Sequence, residues 1–303
     1  GATVKIDPTG KIMVAAGACP QGQGHETVFA QFAADMWKVP IEDVYVSVAD
    51  TGQLTQGYGT IASRSTVTAS GAIKIASDEV QEKAFSIAAN MLETAESDLE
   101  MRDSGIGVQG VPDMHITWRE IARAAKPGWD NKRPEGVAAG LESTSYYEPP
   151  TVTWAYAANA AVVEIDPETG QVTIEKYVEV HDAGVLVNPG LADGQVKGGL
   201  VQGLGGGLLE ELAYDDQGQL LTGSLMDYLL PSASDVPPIE VVHLETPSPL
   251  NAFGVKGLGE GGAIAPPVVI ANAVCDALRP FKAELNATPV RWQDVASFFD
   301  GTT

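Results

Sequence analysis

The sequence predicts an α+β fold made of two similar β-hairpin-plus-helix subdomains. Three observations carry the prediction. An Asp-Pro turn separates two strand-like runs near the start, at Asp7-Pro8-Thr9-Gly10, and again in the middle, at Asp166-Pro167-Glu168-Thr169-Gly170. Each pair of runs leads to a Gly-Gln pair, Gly22-Gln23 in the first case and Gly194-Gln195 in the second. An apolar stretch with helical character follows each. Packed together, two such units would present their Gly-Gln loops from opposite sides of one crevice. The expected division is a first subdomain over 1–130 and a second over 131–303, with the Pro- and Gly-rich stretch 126–150 crossing between them.

In order, residues 3–7 and 11–18 alternate well enough to be strands. Over 27–39 the apolar residues Val28, Phe29, Phe32, Ala33 and Trp37 recur every three or four positions, predicting a helix with one buried face. Residues 44–49 read as a strand, 50–66 as a polar Gly-rich loop, and 67–94 as a long Ala-rich helix. A short hairpin over 97–110 and a short helix over 117–125 close the first half. The second half opens with strands at 157–166 and 171–181. A loop entering Gly194-Gln195 then runs into a Gly-rich helix extending to Leu212. Segments 220–231 and 239–245 follow. Pro266 and Pro267 suit the first turn of a helix reaching Leu278, and a last helix covers 290–299.

The chain's 303 residues are 44% hydrophobic, enough for substantial cores. Lys and Arg total 18 against 40 Asp and Glu, a net charge of −22 that argues against nucleic acid as partner. Two cysteines, Cys19 and Cys275, are too few to hold an iron–sulfur cluster and do not form a secreted disulfide framework. No apolar run has the length of a membrane span and no signal peptide is visible, so a soluble cytoplasmic protein is expected. The start, Gly1-Ala2-Thr3-Val4, is already inside a strand pattern, which predicts a piece of a larger polypeptide or a processed subunit.

The most informative stretch is Phe253-Gly254-Val255-Lys256-Gly257-Leu258-Gly259-Glu260-Gly261-Gly262. It places one carboxylate, Glu260, among glycines that let backbone turn and let a ligand approach. A helix start follows directly, so spare N–H groups are aimed at the neighbourhood of that carboxylate. Alone, the stretch reads first as a Gly-rich turn with a solvated Glu, and its functional reading depends on the other motifs. Gly22-Gln23-Gly24-His25 offers backbone N–H groups and an amide, suiting a polar heterocycle or phosphate, or else capping a helix. His25 on its own reads as a structural histidine: a second His four residues on is missing, so the zinc-protease pattern fails. Ser63-Arg64-Ser65-Thr66 sets three hydroxyls and a guanidinium at the mouth of the long helix, either an anion cradle or an ordinary cap. In the run Gly198 to Gly207 close packing accounts for most glycines, and Gln195 is the informative residue. Gly257, Gly259 and Gly262 formally match a dinucleotide fingerprint. However, no hydrophobic strand precedes them and about forty residues follow, too few for the fold that fingerprint belongs to.

Taken together, GQGHET at 22–27, SRST at 63–66, DPETG at 166–170, GQVKGG at 194–199 and GVKGLGEGG at 254–262 closely resemble the C-terminal half of the molybdenum-binding subunit in the xanthine oxidase family. The branch most like it holds carbon monoxide dehydrogenase large subunits and aldehyde or N-heterocycle dehydrogenases. The resemblance implies a molybdenum hydroxylase whose metal is held by molybdopterin, as the cytosine dinucleotide in most bacterial members, with no protein side chain as metal ligand. It implies that Gly22, Gln23, Gly24 and His25 contact the cofactor near the metal end. Ser63, Arg64, Ser65 and Thr66 would hold the pyrophosphate and nucleotide. Gln195 and Gly259 would lie on the pterin side. Glu260 matches the family's catalytic glutamate, with the implied role of general base. Ala62 departs from the pattern, since relatives often have Gly there. The implied partners are the N-terminal half of the molybdenum subunit, an iron–sulfur subunit with 2Fe–2S clusters and an FAD subunit, without which this chain would not turn over. Two rivals stand beside this reading: a non-catalytic assembly domain of the same fold, and a nicotinamide-dependent dehydrogenase.

Overall fold

Both hairpin-plus-helix modules form in the computed structural model, which describes residues 1–128 and 132–299. The chain divides into two compact units, residues 1–153 with 247–256, and residues 154–246 with those from 257 onward. The first is built on strands β1 (Ala2–Ile6) and β2 (Ile12–Ala16), paired antiparallel with Val4 opposite Val14. Between them Asp7 Oδ1 accepts from the backbone N–H groups of Thr9 (2.8 Å) and Lys11 (3.1 Å), which closes the turn. Helix α1 (His25–Trp37) returns the chain so that β3 (Val44–Val48) lies parallel to β2. Helix α2 (Ser65–Leu92) packs across β1. Its small residues Ala69, Ser70, Ala72, Ala76, Ser77, Ala84 and Ala88 are buried, which lets so long a helix approach closely.

The core of this unit gathers on one side of that sheet. Val4, Ile12, Phe29, Trp37 and Ile73 are fully buried. Trp37 meets the edge of Trp118 with ring centroids 5.0 Å apart, and each indole N–H is satisfied: Trp37 donates to Ser77 Oγ and Trp118 to Trp37 O, both at 3.1 Å. Trp118 opens helix α3 (Trp118–Ala124), capped reciprocally by Thr117 and Glu120, beside a small sheet of β4 (Leu99–Arg102), β5 (Gly105–Val108) and β6 (His115–Thr117).

The stretch read from sequence as a crossing connection contributes a strand. β7 (Glu142–Ser145) pairs antiparallel with β1, with Val4 opposite Ser143, giving the order β3-β2-β1-β7. Residues 132–153 therefore pack with the first unit. Residues 247–256 do as well: Tyr147 Oη donates to Leu250 O at 3.1 Å, and Phe253 packs on Phe32 at 4.6 Å.

The second unit repeats the hairpin with β8 (Tyr156–Ile165) and β9 (Val172–Asp182), and β10 (Ile239–Leu244) adds to β9 in parallel. Asp166 caps the turn as Asp7 does, accepting from Glu168 N (2.9 Å) and Thr169 Oγ1 (2.9 Å). Helix α4 (Pro189–Leu208) starts earlier than the sequence reading placed it, because Asn188 accepts from Leu191 N at 3.0 Å and Pro189 occupies the first turn. Gly194-Gln195 thus lies inside a helix rather than in a loop, and the expected equivalence of Gln23 and Gln195 as loop residues does not hold. Helices α5 (Gly261–Ile264) and α6 (Pro266–Ala277) pack against α4, and α7 (Trp292–Phe299) ends the described chain. Tyr177, Leu200, Leu204, Ile270, Val274 and Leu278 form the core. Among the described residues no helix is long and apolar enough to cross a membrane.

Candidate functional site

In the first unit the loop carrying Gln23 and the loop carrying Arg64 are brought together. Thr60 Oγ1 donates to Cys19 O, and Ser65 Oγ donates to Thr60 Oγ1 at 3.4 Å. Thr60 is a residue the motif reading passed over, and nothing in the sequence distinguished it from other loop threonines. Gly22 and Gly24 both take positive φ, 97° and 79°, which turns the chain sharply into α1 and favours glycine at both places. Gln23 is half-buried, its Oε1 accepting from Gln21 N at 2.6 Å. His25 is the first residue of α1, 4% exposed and stacked on Phe29 at 5.1 Å, as a structural histidine would be. Burial holds its imidazole below the ordinary histidine range, against a weaker upward pull from Glu26. Its Nδ1 is nonetheless buried without a hydrogen-bond partner among the described residues, a polar atom at the base of this loop.

Ser63 and Arg64 lead into α2, and Ser65 and Thr66 form its first turn. Ala62 and Ser63 both take left-handed backbone, φ 55° and 51°, so the glycine expected at 62 has a conformational reason. Arg64 is exposed, its guanidinium 5.5 Å from the Tyr58 ring centroid, while Ser65 is buried. Amide, hydroxyl, guanidinium and helix-start N–H groups make a donor set that suits a phosphorylated polar heterocycle rather than a bare cation. Among the described residues no three His, Cys, Asp or Glu side chains are grouped to hold a metal ion.

In the second unit Gln195 and the Glu260 segment meet. Gln195 Nε2 donates to Gly259 O at 2.7 Å. Glu260 is exposed and stands immediately before α5, and its carbonyl accepts from Ala263 N at 3.1 Å. The glycines of α4 explain how this segment comes so close. Gly199, Gly203 and Gly207 form one stripe at four-residue spacing, and a Cβ at each would meet Gly262 and Ala263, Pro266 and Ile270 respectively, at 2.8–3.2 Å. Gly262 approaches α4 backbone directly: a Cβ there would stand 2.2 Å from Val196 O. The sequence reading, which assigned most of these glycines to packing, matches this arrangement. No strand leads into Gly257, whose preceding residues 247–256 hold none, so the dinucleotide-fold geometry is missing.

Beneath Glu260 lies a pair that the motif reading missed. Glu179 and His181 of β9 are 0% and 1% exposed, joined by Nδ1 to Oε1 at 2.9 Å. The available signal was their spacing: two titratable residues two positions apart share one face of a strand otherwise facing a core.

A family model described as a molybdopterin cofactor-binding domain matches residues 1–237. The large subunit of nicotine 6-hydroxylase from Paenarthrobacter nicotinovorans is 42% identical over 292 residues, 95% of this chain and 36% of that protein. The carbon monoxide dehydrogenase large chain of Afipia carboxidovorans is 37% identical over 276 residues, 91% of this chain and 34% of that one. Among solved structures, quinoline 2-oxidoreductase from Pseudomonas putida 86 superposes with a TM-score of 0.91 at 40% identity, covering 99% of this chain and 38% of the other. The chain spans about a third of the length of the curated relatives it matches, 36% and 34% for these two.

Proposed function

Because the chain belongs to the molybdopterin cofactor-binding family of xanthine-oxidase-type enzymes, we propose that it serves a hydroxylase or dehydrogenase that oxidises an aldehyde or N-heteroaromatic C–H bond with water as oxygen source. Nicotine and quinoline in the names of two relatives favour the N-heteroaromatic class. A bound molybdopterin supplies the metal that accepts two electrons and acidifies water. The chain's own residues do the rest. In the first unit Ser63, Arg64, Ser65 and Thr66 hold the cofactor's pyrophosphate and nucleotide, which we assign as cytosine. Gly22, Gln23, Gly24 and His25 hydrogen-bond it nearer the metal. In the second unit Gln195 and Gly259 serve the pterin side, and Glu260 accepts the proton released as the new C–O bond forms. Each unit is thus a molybdopterin-binding subdomain. Partner chains carrying 2Fe–2S clusters and FAD, with the remainder of the molybdenum subunit, take the electrons onward in the cytoplasm, and the chain is inactive without them.

One observation carries this reading: Glu260 is exposed on a segment whose neighbours are fixed by Gln195 and by the glycine stripe of α4. A carboxylate so placed keeps its direction without being desolvated. The test is turnover of the assembled complex in heavy-oxygen water, with about one molybdenum per chain. Labelled product supports the reading. Unlabelled product, or turnover that depends on a nicotinamide and not on molybdenum, contradicts it.

A further inference from the structure

The Glu179–His181 pair has no part in the chemistry just described, yet it is the most deeply buried pair of titratable side chains beside that segment. Burying an ionisable pair inside a sheet is rarely the cheapest way to fill a core, since apolar side chains of similar volume do as well or better. The pair is also incompletely satisfied. Glu179 Oε2 and His181 Nε2 are buried with no hydrogen-bond partner among the described residues.

What the imidazole touches gives it a purpose. A Cβ on Gly261 would stand 2.3 Å from His181 Cε1, 3.1 Å from Nε2 and 3.3 Å from Nδ1, so the ring lies flush against the Cα of the residue that follows Glu260. On the other side, the residue before Glu260 is held through its carbonyl by Gln195 at 2.7 Å. Glu260 is therefore the middle of three residues whose outer two are each fixed by a side chain. Glu179, accepting from His181 Nδ1, sets the plane of the ring.

We propose that His181, oriented by Glu179, is a positioning residue for Glu260, acting as the abutment against which Gly261 rests. The proposal rests on the reading of Glu260 as the base. Neither side chain reaches the reacting atoms. The pair sets the direction in which the carboxylate leaves the backbone, and small errors in that direction are costly to proton transfer.

The experiment uses the complete, molybdenum-loaded complex, with Glu260→Gln measured alongside. His181→Ala is expected to lower kcat by about tenfold to a hundredfold with KM and molybdenum content unchanged. Glu179→Gln, which keeps an acceptor for Nδ1–H, should lose less than Glu179→Ala. Gly261→Ala drives a methyl into the ring and should lower both kcat and the melting temperature. Adding His181→Ala to it removes the obstruction and should recover part of both, an interaction that two independent structural defects would not show. Wild-type kcat in His181→Ala while Glu260→Gln is inactive overturns the proposal. So does a loss of kcat that merely follows loss of molybdenum, or simple additivity in the Gly261→Ala double variant. If Glu260→Gln is itself fully active, the base assignment fails, and the positioning role falls with it for a reason that variant alone identifies.

Discussion

Glu260→Gln should lower kcat by about 10²–10⁴-fold, the usual contribution of a positioned general base, while leaving bound molybdenum and stability near their starting values. The amide has the same shape and length as the carboxylate but cannot take up the proton. Because Glu260 is exposed, no buried charge is lost, and the fold should register the change within about 0.5 kcal/mol. The expected pattern is a fall in kcat and in kcat/KM together, since the lost interaction belongs to the transition state. Steady-state kinetics on the complex, with molybdenum measured on the same sample, checks it. Unchanged turnover would remove Glu260 from the chemistry.

Gly262→Ala should be among the most damaging single methyl groups in the second unit. Its Cβ would stand 2.2 Å from Val196 O and 3.1 Å from Leu200 N, both backbone atoms of α4. No rotamer change relieves such a contact, so α4 and α5 must separate, at a cost of about 3 kcal/mol, the upper end for overpacking. Gly198→Ala is the matched control on α4, where a Cβ would meet nothing within 4 Å. There alanine should stabilise by about 0.5–1 kcal/mol, because glycine is the poorer helix former. Opposite signs at two nearby glycines, read by thermal or denaturant unfolding, would establish that packing dictates the Gly-rich composition. Equal effects would refute it.

The elements with a clear period were legible from residues alone. Both Asp-Pro hairpins, the α1 helix with its Phe29, Phe32 and Trp37 face, and the long Ala-rich α2 all form where spacing placed them. What escaped was structure decided by tertiary pairing. β7 is four residues, Glu142–Ser145, in a stretch crowded with Pro and Gly, and it is a strand only because β1 lies beside it. The start of α4 was misread because its glycines depress helix propensity, while the Asn188-Pro189 cap that overrides them lies further upstream. At the candidate site, the residues proposed to carry chemistry, Gln23, Arg64, Gln195 and Glu260, stand out in the sequence by residue type and motif. The residues that touch their segments, Thr60, Glu179 and His181, do not, since what marks them is what they contact in the fold.

The claim on which the rest depends is that the loop leading into α2 grips the nucleotide end of a molybdopterin. Arg64 is exposed and its loss should leave the fold intact, so the molybdenum and pterin content of Arg64→Ala after gel filtration of the complex is the most direct measure. A charge-assisted phosphate contact contributes about 1.5–3 kcal/mol, so cofactor binding should weaken by at least about tenfold, with Glu260→Gln fully loaded under the same conditions. Wild-type cofactor content and retention in Arg64→Ala would contradict the account.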